Sequence, residues 1–275
     1  MTNLQGEKMA YDKDLEFLGT MKSEDLDILV STLTHDKDGE KRLMEMLTIS
    51  EVYKKHYPNH QKYLGEIIDE LQRFGGNTFA NVFRDIFGSY FGRSGVPYRE
   101  ILCDVCDKCK VNYNKNAKIE RIEELLLQKI FEDSLEKMPK EELEKLSREL
   151  GLDKTRNIGN LAKGNLATMI MQSAIQAGGF ASYKIALIVA NAVAKQMLGR
   201  GLTLAANATL TRTIGVFAGP LGWALTALWT TWDFAGPAYR VTIPAVIQVA
   251  YLRQKNDMDI KKAWEALKEA SENNQ

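Results

Sequence analysis

The stretch from Leu161 to Gln254 constrains the fold more than any other: it is apolar, dotted with glycine, and carries seven basic residues against a single acid, Asp233. The basic residues are Lys163, Lys184, Lys195, Arg200, Arg212, Arg240 and Arg253. So much apolar surface is not left in water, so a segment of this kind either forms a buried core or meets lipid. Everything before it is acidic, with 25 Lys and Arg against 30 Asp and Glu over residues 1–160. The tail from Lys255 adds four basic and five acidic residues, and a formal net charge of +0 therefore conceals a split.

A chain of 275 residues can bury a full core, and 45% hydrophobic with 26% charged residues is ordinary for a globular protein. Met1 to Lys8 lack the basic start, apolar middle and small-residue cleavage site of a secretory signal. Three cysteines within seven positions make no disulfide framework, which points to the reducing cytoplasm.

Helical periodicity runs through nearly the whole chain. Asp12 to Gly19 places Leu15, Phe17 and Leu18 together, and Ser23 is expected to cap a helix with Leu26, Leu29, Val30 and Leu33 on one face. Glu40 to Lys55 repeats the pattern with Leu43, Met46, Leu47 and Val52 before Pro58 interrupts it. His60 to Phe74 carries Tyr63, Leu64, Ile67, Ile68 and Leu71 at amphipathic spacing, with Gly75 and Gly76 expected to end it. Phe79, Val82, Phe83, Ile86 and Phe87 form an aromatic stripe, and further helices are expected over Tyr98–Val111, Lys118–Glu136 and after Pro139. No run alternates long enough to argue for a sheet. The expected fold is all-α, a multi-helix bundle with an apolar, glycine-rich C-terminal region. Its expected parts are an N-terminal helical module (1–58), a central amphipathic domain (59–157), the apolar basic region (158–254) and an amphipathic tail helix (255–275).

Several of these segments resemble one family. Ala10 to Leu18, then Leu26 to Leu33, then Glu70 to Gly76 with Phe74-Gly75-Gly76, then Tyr98-Arg99-Glu100-Ile101-Leu102, and finally Ala238 to Val246 with Tyr239, Arg240 and Pro244, look like the bacterial YaaW family over nearly the whole chain. The resemblance implies a short N-terminal domain of unknown function and a remote likeness to ubiquinol–cytochrome c assembly chaperones. It carries no catalytic or ligand-binding residue onto this sequence.

Two uncharged runs in the apolar third have the length of a membrane span, ~20 residues: Asn165–Tyr183 with 19 residues and Thr213–Trp232 with 20. Gln172, Ser173 and Gln176 interrupt the first and Pro220 the second. Gly215 and Gly219 have the G-x-x-x-G spacing that lets helices approach closely in lipid. Trp223, Trp229 and Trp232 could sit at a bilayer interface or fill a buried core. Lys184, Lys195, Arg200 and Arg212 could reach anionic head groups or form a solvated face.

Chemistry is thin. Cys103, Cys106 and Cys109 have C-x-x-C-x-x-C spacing, part of what an iron–sulfur or zinc site uses, but on a continuous helix they fan out and no fourth cysteine follows. His56 and His60 are separated by Pro58. Arg240 could snorkel, pair with Asp233 or cap a helix before Pro244. There is no phosphate-binding loop, no nucleophile elbow and no dinucleotide fingerprint. The positive third lacks a compact basic stripe with stacking aromatics, so nucleic acid is not expected. No catalytic residue and no cofactor is expected. The main expectation is a non-enzymatic, cytoplasmic protein that associates with an anionic inner membrane through a conditionally inserted or pore-forming apolar hairpin, shielded in water by the acidic helices. The alternative is a soluble assembly-chaperone-like module that binds a protein partner.

Overall fold

The computed structural model describes residues 12–87, 96–149, 152, 158–176, 179–199, 201–202, 221–222, 224–225 and 238–272. Among the described residues there is no strand, only an isolated bridge between His35 and Lys41. A 3-10 helix, Lys13–Thr20, opens the chain and buries Leu15 and Leu18. It is followed by α1 (Ser23–Thr34), α2 (Glu51–His56), a 3-10 turn (His60–Tyr63), α3 (Leu64–Phe87), α4 (Tyr98–Lys108) and α5 (Ile119–Lys137). Next come α6 (Lys140–Glu149), α7 (Lys163–Gln176), α8 (Gly179–Leu198) and α9 (Tyr239–Glu272). The all-α expectation holds.

The apolar third is, in its described part, the centre of the molecule. Every residue from Ile185 to Ala194 and from Val241 to Arg253 is buried, as expected of helices that are hydrophobic on all sides and enclosed by others. Helices α8 and α9 pack on one another, and Ala186, Ala190 and Ala194 of the first and Ala245 and Ala250 of the second are all buried. Gln248 donates to the Ala190 carbonyl at 3.0 Å, and Tyr183 stacks on Tyr251 at 6.3 Å. Around this pair, α1, α3, α4 and α5 pack against α9. Ile122, Leu126, Ile130 and Phe131 of α5 and Leu26, Leu29 and Leu33 of α1 join the same core.

Several local expectations are corrected. Asn165–Tyr183 is not one helix: α7 ends at Gln176 and α8 begins at Gly179. No helix among the described residues is long and apolar enough to cross a membrane. Gly75 and Gly76 do not end a helix, since α3 continues to Phe87 and the pair lies where α3 meets α4. A Cβ on Gly75 would collide with the Ile101 side chain, so close approach and not a turn requires glycine there. Ser23 is not the cap of α1; Lys22 occupies that position without a side-chain bond, and Ser23 instead donates to Asn59 at 3.3 Å. The tail expected from Lys255 is the second half of the 34-residue α9, which runs through Pro244.

Candidate functional site

Residues 42–50 show the most unusual surface. Helical spacing predicts Leu43 and Met46 on a buried face, yet helix begins only at Glu51. Leu43 is 103% exposed, Met44 64%, Met46 50% and Ile49 54%. These four apolar side chains stand on a loop whose backbone is tied down by carboxylates. Glu70, itself buried, accepts the Met46 N–H at 3.2 Å. Glu45 turns inward and accepts the Thr48 N–H at 2.8 Å and the Thr48 hydroxyl. Ser50 donates to Glu66 and caps α2 through the Val52 and Tyr53 N–H groups. Leu47 is the anchor, only 2% exposed.

Arg42 closes the other end by donating from its N–H and Nε to Thr34 O and Thr32 O, each at 3.0 Å. Burial pushes the Glu70 carboxyl above its ordinary value, opposed by Arg73, which pairs with it. Two acids, Glu45 and Glu70, thus satisfy backbone N–H groups that a helix would have satisfied internally, and the loop holds its apolar side chains outward in a fixed shelf.

Beside the shelf lies an aromatic cluster. His60 is 1% exposed, with Nε2 2.6 Å from Asp27 Oδ1 and Nδ1 bonded to Tyr63 Oη. Tyr53 sits 5.2 Å from the rings of both Tyr57 and Tyr63. Tyr57 is exposed and packs beside Tyr53 and His60. His56 and His60 fall on separate elements, divided by Pro58.

A second polar centre lies inside the bundle. Glu123, fully buried on α5, accepts from Arg253 Nε at 2.7 Å and from Tyr98 Oη at 2.8 Å. Arg253 also donates to Asp14 O and lies 4.1 Å over the Phe17 ring. Asp12 accepts the Tyr98 N–H at 2.7 Å and the Gln72 amide at 3.1 Å. Arg99 donates to Ala117 O at 2.9 Å and approaches Asp14 at 3.9 Å. Burial raises the Glu123 carboxyl, opposed by the Arg253 guanidinium and the Tyr98 hydroxyl. This junction ties the first 3-10 helix and α9 to α4 and α5; enclosed as it is, its geometry suits architecture.

The remaining expected residues are placed as follows. Cys103 and Cys106 are buried on α4, Cys109 caps its C-terminal end, and all three are free thiols. Burial holds them protonated, Cys109 being pushed up to about 12. Among the described residues no group of three His, Cys, Asp or Glu is arranged to hold a metal ion. Phe74 is buried in the core, and Tyr239 donates to Asp104 at 3.0 Å beneath the Lys108 ammonium. Arg240 is exposed at the start of α9, and Pro244 lies within that helix. Lys184 is half-buried and Lys195 exposed, both on the enclosed helix α8. Arg200, Arg212, Gly215, Gly219, Trp223, Trp229 and Trp232 lie outside the described residues, as does Asp233.

Sequence reasoning missed the shelf, Glu123 and Arg253. Glu123 stands beside Ile122 within a stripe of apolar positions, and Arg253 follows Tyr251-Leu252. A charge at a core position is the signal that pointed to them.

Residues 9–43 match a family model described as a domain of unknown function (DUF3944), and residues 62–247 match that of the ubiquinol-cytochrome C chaperone. A UPF0174 protein of Helicobacter pylori strain J99 is 51% identical over 245 residues, covering 89% of this chain and 92% of the relative. A UPF0174 protein of Helicobacter pylori strain 26695 is 42% identical over 77% of this chain and 97% of its own length. The UPF0174 protein YaaW of Escherichia coli K12 is 30% identical over 88% of this chain and 94% of the relative. No solved structure matches.

Proposed function

This chain belongs to the UPF0174 family and, over residues 62–247, to the ubiquinol-cytochrome C chaperone family, and we propose on that premise that it is a non-enzymatic, assembly-chaperone-like module that docks an apolar segment of a protein partner. The observation that carries the reading is the shelf of Leu43, Met44, Met46 and Ile49, exposed on a braced loop. Apolar side chains held in water at fixed positions lose little freedom on binding, and unbranched methionines adapt to partners of differing shape.

The partner is a chain with an apolar helix or an unpacked apolar face, the chemistry that a membrane-protein subunit awaiting assembly presents. The membrane reading retains Thr213–Trp232 as its support, a run that lies almost wholly outside the described residues.

Fluorescence anisotropy with a labelled Leu- and Ala-rich helical peptide tests the docking. Saturable binding by the full chain is expected, weakened at least tenfold, or about 1.4 kcal/mol, by Leu43→Asp with Met46→Asp. Both positions are exposed, so the double variant should keep its circular dichroism. Equal binding by the variant would sink this reading, and flotation of the chain with anionic liposomes would restore the membrane one.

A further inference from the structure

Helix α9 leaves the body near Met258. Up to that point it is tied down, by Lys255 to Asp25 at 3.0 Å and by Thr20 to Asn256 at 2.9 Å. Beyond it, every residue from Asp259 to Glu269 is exposed, although the helix continues to Glu272. Ile260, Trp264 and Leu267 are spaced four and three apart and form a continuous stripe, 60%, 61% and 64% exposed. A single projecting helix with an uncovered apolar stripe is marginal in water, and such stripes gain stability by packing on another helix.

We propose that this stripe is a homodimer seam, in which the projecting ends of two α9 helices pair antiparallel about a two-fold axis at Ala263. The second copy is favoured by self-complementarity. Ala263 lies at the edge of the stripe and lets the two helices approach where they cross. A two-fold at that point sets Ile260 of each copy against Leu267 of the other, the reciprocal pairing that an isologous interface requires. At about 100° per residue, Asp257, Lys261 and Lys268 fall on one flank. Antiparallel pairing sets each flank against the same flank of the other copy. Asp257 therefore meets Lys268 twice, and Lys261 comes beside the indole of Trp264, a favourable cation–aromatic contact.

The charges disfavour other occupants. From Ile260 to Glu272 the three lysines Lys261, Lys262 and Lys268 are matched by Glu265, Glu269 and Glu272. The segment as a whole lacks the basic surplus of a helix that lies on anionic lipid. It also offers no net attraction to a strongly charged partner. The seam is short of the ~1,200–2,000 Å² of a stable interface, so the dimer is reversible and forms as concentration rises. It uses a different surface from the shelf and stands or falls separately.

Sedimentation velocity of the full chain across a hundredfold concentration range should show monomer passing to dimer. Trp264→Glu should weaken the association at least tenfold while leaving the circular dichroism unchanged. Asp257→Lys should weaken it as well, and adding Lys268→Asp should restore it, a rescue that unspecific stickiness does not give. In an Ala263→Cys chain a short bismaleimide should join two copies above the background of the parent, whereas Glu265→Cys, on the far face, should not react so. A chain that stays monomeric throughout overturns the proposal. So does a dimer indifferent to Trp264→Glu, which would lie on another surface. Binding of the monomer to anionic vesicles that Trp264→Glu abolishes would assign the stripe to lipid and overturn it equally.

Discussion

Glu123 and Arg253 show what single residues do in this molecule. The two charges, both buried, satisfy one another at 2.7 Å, and Tyr98 and Asp14 O take up further hydrogen-bonding capacity. Removing one partner of such a pair leaves an uncompensated charge in a medium that solvates it poorly. Glu123→Leu or Arg253→Met alone should therefore cost about 3–5 kcal/mol. Both together should cost much less than the sum, because the double variant buries no charge. Urea unfolding of the three variants measures the coupling, and strictly additive losses would show that the pair is not a unit. The sequence contains the signal for this junction, a carboxylate in the apolar stripe of α5 and a guanidinium at the end of an apolar run. It does not contain the pairing, since Glu123 and Arg253 stand 130 positions apart. The same holds for Asp27 and His60, whose contact depends on how α1 lies beside the turn before α3.

At the scale of elements, legibility follows from where hydrogen bonds are made. Helix α5 was expected over Lys118–Glu136 and spans Ile119–Lys137, and α4 was expected from Tyr98 and begins there. In both, local periodicity and internal bonds agree. Residues 40–50 fail because Glu45 and Glu70 capture backbone donors that periodicity assigns to a helix. Glu70 comes from α3, so that part of the competition is tertiary and cannot be read locally. Gly75 and Gly76 fail for a related reason: glycine marks either a stop or a close crossing, and only the position of α4 decides. Gly75→Ala should push Ile101 off its rotamer and destabilise the protein by roughly 1–3 kcal/mol, whereas Gly76→Ala, with Val96 at an ordinary 3.7 Å, should be tolerated. Thermal unfolding of the pair measures the contrast. Equal losses at both positions would mean that the contact with Ile101 does not set the cost, since helix propensity favours alanine at each.

At the scale of the whole molecule, α9 acts as the strap that closes the fold. Its first half packs on α8, α1, α5, α4 and α3, and Arg253, Lys255 and Asn256 reach the first described residues through Asp14, Asp25 and Thr20. Composition divides the chain near residues 58, 157 and 254, but these contacts join the segments through one core. Contacts between distant parts of the chain lead us to expect slow folding and a stability shared across these segments. Two truncations separate the halves of the strap. A chain ending after Met258 loses only the projecting helix and, measured at low concentration, should unfold within about 1 kcal/mol of the full chain. A chain ending after Ala238 loses the partner of α8 and the cation of Glu123, and should show no cooperative urea transition and no near-ultraviolet circular dichroism. If that shorter chain instead unfolds in a single sharp step, the N-terminal helices hold a core of their own, and α9 is an attachment to the fold and not its closure.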